Sequence, residues 1–470
     1  MDVLRLYHLA PVSIRSFAAT VWGAYLWQWR FGRETERLVE EAVERETWSE
    51  ARWKSWRQER LAFILDRAAT RVPYYRNHWA RRRAAGDRSS WELLENWQVL
   101  EKEQLRRAPR AFVADDRNPS RMFHEHTSGS TGTPVNLWFS RNTVRFWYAL
   151  FEARWRRWYG VSRFDRWAIL GGKLVTPVEQ TRPPFWIWNA AMRQLYMSSY
   201  HLSPEYIPFY LEALARYRVE YLWGYTSSLY TIAQEMLRHK RSTRQFKVVI
   251  TNAEPLHEHQ RAVIAAAFNC PLRETYGMSE IVAAASECAC GRLHLWPEAG
   301  VIEIAPGETS DGDNMEGELI CTGLCNPDMP LIRYRTGDRG MLPIRQSSCA
   351  CNRTLPLLCR IEGRSDDVLF GSDGRAIGRL DTVFKGDFLV RESQIVQESL
   401  NVVRLIYVPA EGCTEQHISA LANQIRARMG NVRVEVESVS SIPRGPNNKF
   451  RAVICKLPQD QRYVRTQTHA

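Results

Sequence analysis

The chain has 470 residues, 44% hydrophobic and 25% charged, and its 64 Lys and Arg against 52 Asp and Glu give a net charge of +12. That length exceeds what one hydrophobic core fills, so at least two domains are expected. The positive balance favours anionic partners such as nucleotides, coenzyme A, acidic carrier proteins or a membrane surface. No helix-turn-helix, nucleic-acid zinc finger or RNA-recognition signature accompanies the arginines between Arg81 and Arg110. They read as a solvated basic face, and no nucleic-acid partner is expected.

The N-terminus lacks the marks of a secretory signal: Asp2 follows Met1, and Arg15, Arg30 and Arg33 break the apolar run. Between Val12 and Phe31, Trp22, Tyr25, Leu26 and Trp29 recur at helical spacing. This suits an internal packing helix better than an interfacial one, and no segment is long enough for a membrane span. Ten cysteines without a signal peptide fit a cytoplasmic protein with free thiols or bound metal, not a disulfide scaffold.

Residues 1–115 read as a helical cover interrupted at Val72–Arg76 by Pro73. From Arg121 onward, apolar runs alternate with helical patterns. Strands are expected at Arg166–Gly172, Val219–Tyr225 and Phe246–Ile250, and helices at Glu205–Arg218, after Thr226, and near His257–Phe268. Such alternation implies a parallel sheet with helices on its faces and ligands beyond the carboxyl ends of its strands. That gathers the loops Gly224–Ser228, Thr251–Leu256 and Tyr276–Glu280 at one edge. Past Ala299, short segments punctuated by Gly and Asp suggest a barrel-like β region. A domain boundary is expected near Arg364–Asp367. Beyond it lie strands at Val402–Val408, Val432–Val439 and Phe450–Leu457 and a helix at Thr414–Met429.

Four stretches could carry chemistry. His126–Pro134 (HTSGSTGTP) interleaves four hydroxyls, Thr127, Ser128, Ser130 and Thr131, with glycines that let backbone N–H groups approach an anion. A flexible linker has the same composition, and no Gly-Lys-Ser/Thr follows to make a Walker loop. Tyr276–Glu280 (YGMSE) presents a carboxylate suited to Mg²⁺, or else to a helix N-terminus. Tyr334–Asp338 (YRTGD) places a carboxylate at a turn, where it could hold a vicinal diol or simply close the turn. Lys449 is a lone cation among turn formers, in a setting that also suits a plain surface lysine.

In this order the segments TSGSTGTP, YGMSE, YRTGD, GRSDD and the late lysine resemble the adenylate-forming superfamily of acyl-CoA synthetases. The cues VPYYR, LWGYTSSL, NAEPL, the paired cysteines and the short C-terminal region point more narrowly to the phenylacetate-CoA ligase/CapK branch. The resemblance runs from about Val72 to the C-terminal strand. It implies an α/β fold: an N-terminal domain (1–364) of helix-flanked parallel sheets with a barrel-like region, and a small mobile α+β lid (365–470).

The resemblance also implies roles. Thr127, Ser128, Ser130 and Thr131 would cradle the ATP phosphates. Asn252, Ala253 and Glu254, with Tyr276, Gly277, Met278 and Ser279, would contact the nucleotide around adenine. Glu280 would help bind Mg²⁺, Asp338 and Arg364 would hold the ribose, and Asp366 would be the hinge. Lys449 would bridge carboxylate and α-phosphate, although Asn448 stands where a glycine usually precedes that lysine.

Cys288, Cys290, His294, Cys349 and Cys351 supply thiolates and an imidazole suited to tetrahedral Zn²⁺. The set Cys288, His294, Cys349 and Cys351 resembles the zinc-binding variant of the branch, with Cys290 as spare or substitute and the metal structural. Gly171, Gly172, Lys173, Trp223, Gly224, Tyr225 and Ser227 are candidates for an acyl pocket. The expected activity is ATP-dependent activation of a carboxylic acid followed by transfer to coenzyme A. Transfer to an amine or a carrier protein, and a non-catalytic nucleotide-binding scaffold, are the alternatives.

Overall fold

The computed structural model describes residues 3–126, 135–254, 256, 258–305, 310–311, 313–363, 369–371, 376–377, 380, 383, 388–443 and 453–458. Thr127, Ser128, Ser130, Thr131, Arg364, Asp366 and Lys449 therefore lie outside the described residues, as does the expected domain boundary at Arg364–Asp367.

The chain begins with α1 (Val3–Leu9), α2 (Val12–Arg30), α3 (Thr35–Arg45), α4 (Glu50–Arg71) and α5 (Pro73–Ala84), followed by short α6 (Lys102–Arg107). Ser49 caps α4 by accepting from Arg52 N, and Pro73 sits in the first turn of α5, where its missing N–H is no loss. The expected break at Val72–Arg76 is thus the joint between two helices. Strands β1 (Phe123–His126) and β2 (Asn136–Phe139) pair antiparallel on either side of the TSGSTGTP residues, with His126 opposite Asn136. Next come α7 (Arg141–Trp155), β3 (Trp167–Gly171), β4 (Trp186–Asn189), β5 (Gln194–Ser198), α8 (Ile207–Arg216), β6 (Tyr221–Tyr225), α9 (Thr226–Arg238), β7 (Val248–Asn252), α10 (Glu258–Phe268) and β8 (Leu272–Gly277).

Five of these strands, in the order β8-β7-β6-β3-β5, are parallel. Their alternation sends Tyr221, Trp223, Val248 and Ile250 to one face and Leu222, Val249, Ala168 and Leu170 to the other. Both faces are buried, which is why these strands read as continuous apolar runs. Helix α7 covers the first face; α8, α9 and α10 cover the second.

The sheet is mixed at its ends. Strand β4 joins β5 antiparallel on one side, and β9 (Ala284–Glu287) and β10 (Leu293–Leu295) continue it antiparallel on the other. Four further strands, β11 (Gly300–Ile304), β12 (Ser310–Asp311), β13 (Asn314–Gly323) and β14 (Tyr334–Pro343), belong to a second, antiparallel sheet. Short β15 (Leu357–Leu358) closes the first sheet beside β10, and β16 (Arg360–Gly363) pairs with β14. This second sheet occupies the stretch expected to be barrel-like, with β11 and β16 at its two ends.

The C-terminal unit contains β17 (Leu369–Phe370), β18 (Ala376–Ile377), β19 (Val390–Ser399), β20 (Val402–Pro409), α11 (Glu415–Met429), β21 (Arg433–Ser438) and β22 (Val453–Cys455). Its four-stranded sheet, ordered β21-β20-β19-β22, packs against Ile418, Leu421 and Ile425 of α11. Leu174, Val178 and Tyr200 of the larger unit join this core.

The helical cover is fastened to the sheets by buried charge. Arg154 on α7 donates twice to Glu298, each at 2.7 Å, and Arg45 on α3 donates to the same carboxylate at 2.9 Å. Burial pushes the Glu298 carboxyl up, but the two guanidinium groups outweigh it and hold it below the usual range.

Candidate functional site

Two motifs hold each other. Tyr276 ends the parallel part of the first sheet, and its hydroxyl donates to Asp338 Oδ2 at 2.9 Å. In return the Tyr334 hydroxyl, at the start of β14, donates to Glu280 Oε1 at 2.9 Å. The tyrosine that opens each motif therefore binds the carboxylate that closes the other. Both carboxylates are nearly buried, with Glu280 at 6% and Asp338 at 9% exposure. Burial without donors would be costly, and the crossed tyrosines supply a donor to each carboxylate. Gly337, at φ +79°, supplies the left-handed turn before Asp338, whose N–H is bound by Thr336 Oγ1 at 3.1 Å.

Lys102 Nζ lies 3.6 Å from Glu280 Oε1. Residues beside it form part of the wall: Leu100 N donates to Arg333 O, and Arg335 N donates to Leu100 O, so the segment runs along β14. The N-terminal helical region thus does more than cover surface. Tyr334 and Lys102 thus meet the same oxygen of Glu280, Oε1.

The loop after β7 lies at the same sheet edge. Ala253 takes φ +66°, and the Glu254 carboxylate accepts from Ser227 N at 2.8 Å and from Ser227 Oγ at 3.1 Å. Glu254 therefore caps α9 from across the loop, and the Thr226 hydroxyl donates to Glu254 O. At the foot of the β1–β2 hairpin, an open cleft of about 460 Å³ is lined by Arg110, His124, Asn136 and Trp138.

The acyl-pocket candidates divide. Leu170 is registered with Gly224, so Gly171, Gly172 and Lys173 leave β3 beside Gly224 and Tyr225. Gly172 N donates to the Tyr225 hydroxyl, Lys173 N donates to the Tyr196 hydroxyl, and the Tyr200 hydroxyl donates to Gly172 O. A Cβ on Gly171 would stand 2.2 Å from the Tyr196 oxygen, which explains a glycine there. Trp223 instead faces the core, its ring 5.1 Å from Phe151 and 5.8 Å from Trp155. Sequence reasoning missed Tyr196 and Tyr200, because their place beside the loop depends on β5 pairing with β3.

Cys288, His294, Cys349 and Cys351 present ligand atoms all within 4.8 Å of one another. Cys288 Sγ is 3.7 Å from Cys349 Sγ, and Cys351 Sγ is 3.4 Å from His294 Nε2. A tetrahedron with metal–sulfur bonds of about 2.3 Å has edges of about 3.8 Å, so this spacing suits one four-coordinate ion. His294 Nδ1 lies 3.0 Å from Leu355 O. Donation there leaves the Nε2 lone pair facing the thiols, the tautomer a metal ligand needs. Cys290, in the turn closed by Gly291 at φ +73°, is exposed and outside the group.

Comparison with known proteins fits this architecture. The model of the CapK C-terminal domain matches residues 369–456. Protein CapK of Staphylococcus aureus is 27% identical over 365 residues, covering 76% of this chain and 78% of its own. A phenylacetate-coenzyme A ligase of Aromatoleum evansii is 34% identical over 155 residues, covering 30% of this chain and 33% of its own. Among solved structures, 2-hydroxyisobutyryl-CoA ligase in complex with 2-HIB-AMP and CoA superposes with a TM-score of 0.55 at 18% identity, covering 87% of this chain and 91% of that one. The fold is that of adenylate-forming ligases. In sequence the chain is similar to CapK over most of its length and to the phenylacetate-CoA ligases over a shorter stretch.

Proposed function

We propose that the chain activates a carboxylic acid with ATP and transfers the acyl group to coenzyme A. The substrate carboxylate oxygen attacks the α-phosphorus, the bond to the β-phosphate oxygen breaks, and acyl-adenylate and pyrophosphate result. The thiol sulfur of coenzyme A then attacks the acyl carbon, AMP leaves, and the thiol proton passes to solvent. The observation that carries this reading is the crossed pairing of Tyr276 with Asp338 and of Tyr334 with Glu280.

In this reading Asp338 and Arg364 hold the ribose, the Asn252–Glu254 loop and Tyr276–Ser279 contact adenine, and Thr127, Ser128, Ser130 and Thr131 bind the phosphates. Glu280 would hold Mg²⁺, and the ion would offset phosphate charge. Attack joins two anions, so a cation must meet the charge that develops; Lys449 is assigned that role. Asp366 is the hinge that lets it leave for the second step. Gly172, Lys173 and Tyr225, with Tyr196 and Tyr200, are assigned to the acid. Cys288, His294, Cys349 and Cys351 would hold a structural Zn²⁺, since four protein ligands leave no open position. Ten free cysteines support a reducing, cytoplasmic setting.

ATP–pyrophosphate exchange across a panel of acids tests the first step, and product mass with coenzyme A or amines tests the second. Exchange with at least one acid, reduced at least about 100-fold in Lys449→Ala, is expected. No exchange with any acid would favour a non-catalytic nucleotide-binding scaffold. An amide product would replace coenzyme A as acceptor.

A further inference from the structure

The first two helices carry an apolar face that no described residue covers. The inner side of α2 seals the edge of the sheet. Ser16 Oγ accepts from Trp188 N at 3.2 Å, Thr20 Oγ1 accepts from Ala190 N at 3.1 Å, and Gly23 packs on Asn189. These are N–H groups of β4 and the residue after it, at the exposed edge, so the helix performs a necessary covering task there. Its outer side has no such task. At 100° per residue, Ile14, Phe17, Val21, Trp22 and Tyr25 fall within an arc of about 140°. Leu9 and Phe17 are 74% and 70% exposed, and Ile14, Val21 and Trp22 are each at least 55% exposed. Trp22 and Tyr25 stack with ring centroids 5.0 Å apart.

The helices that carry this face are themselves poor in acid. From Val3 to Arg33 the sequence holds four arginines and no Asp or Glu. Arg15 is committed to Val175 O at 2.9 Å, while Arg33 is exposed and exposed Arg141 lies over Trp29 at 4.8 Å. No helix among the described residues is long and apolar enough to cross a membrane.

We propose that this face docks on an anionic lipid surface, with α2 lying in the plane of the headgroups. Stacked Trp and Tyr suit the boundary between headgroup and acyl chain, and the flanking arginines meet lipid phosphates. A second copy is the poorer occupant: two-fold pairing would set residues 3–33, which hold four arginines and no Asp or Glu, against themselves.

The test is flotation of the full chain with vesicles of phosphatidylcholine, with and without phosphatidylglycerol. The chain is expected to float with the phosphatidylglycerol vesicles alone and to be released by high salt. Phe17→Glu with Trp22→Glu should lower binding at least about tenfold, with circular dichroism and pyrophosphate exchange in solution unchanged. Should that double variant fail to fold, Arg33→Glu alone is expected to weaken binding about threefold to fivefold. Failure of the wild-type chain to float with either vesicle overturns the proposal. So does a wild-type dimer that Phe17→Glu splits, since the face would then belong to a second copy. Neither result bears on acid activation, which is assayed without lipid.

Discussion

The hydroxyl of Tyr276 reaches Asp338 across 62 positions of sequence, at 2.9 Å. Removing it would leave a nearly buried carboxylate short of one donor, a loss of about 1–3 kcal/mol for a hydrogen bond of this kind. Tyr276→Phe is therefore expected to lower kcat/KM for ATP roughly 5- to 150-fold. Tyr334→Phe should act on the partner carboxylate, appearing as an altered Mg²⁺ dependence of exchange. Equal and small effects of both changes on ATP and Mg²⁺ would separate these tyrosines from the nucleotide site.

The thiol and imidazole cluster is expected to hold about one equivalent of zinc in purified protein. His294 lies opposite Leu357 on β10–β15, so a bound ion would staple the antiparallel end of the first sheet. Cys288→Ser should lower Tm by roughly 10 °C, whereas Cys290→Ser should leave it within about 2 °C. Metal analysis with scanning calorimetry distinguishes the two.

Glu298 anchors Arg154 and Arg45, and all three are buried. Glu298→Gln would leave Arg154 only Glu46 at 3.7 Å and Arg45 only Glu41 at 3.8 Å as carboxylate neighbours, and should cost about 3–5 kcal/mol. Because the folded carboxyl sits below its unfolded value of 4.5, its contribution is full above that pH. It is lost as pH falls towards the folded value. Denaturant melts of wild type and variant should therefore converge on acidification.

Glu274 behaves in the opposite sense. Its carboxyl is pushed up to about 7, first by burial and then by the charge of Glu287, against the pull of Arg261. The folded chain thus keeps a proton that the unfolded chain loses near 4.5, so stability falls as pH rises from 4.5 through about 7. A shift of this size corresponds to about 3 kcal/mol across that range. Glu274→Gln is expected to flatten this slope, with a larger gain in Tm at pH 8 than at pH 5.

Local pattern carried far in this chain. The runs at Val219–Tyr225 and Phe246–Ile250 read as buried strands because parallel pairing with helices on both sides makes every position apolar. Glu280 and Asp338 were recognisable from the short motifs around them. Their crossed tyrosines were not, since β8 and β14 meet only in the tertiary structure. Strands β4 and β5 escaped notice because their Trp- and Tyr-rich residues lie within irregular sequence. The outward face of α2 was hidden for a related reason: Trp22, Tyr25, Leu26 and Trp29 share helical spacing, but only the position of β4 decides which of them turn inward.

The strand exit at Gly172–Val178 has three masters. His8 Nε2 lies 2.9 Å from Leu174 O, Arg15 donates to Val175 O, and Leu174 and Val178 pack with the C-terminal core. Under the proposed function, damage to α1 would surface as a changed preference among acids while ATP affinity stayed constant, and selection for a new substrate would draw mutations from residues that never touch it.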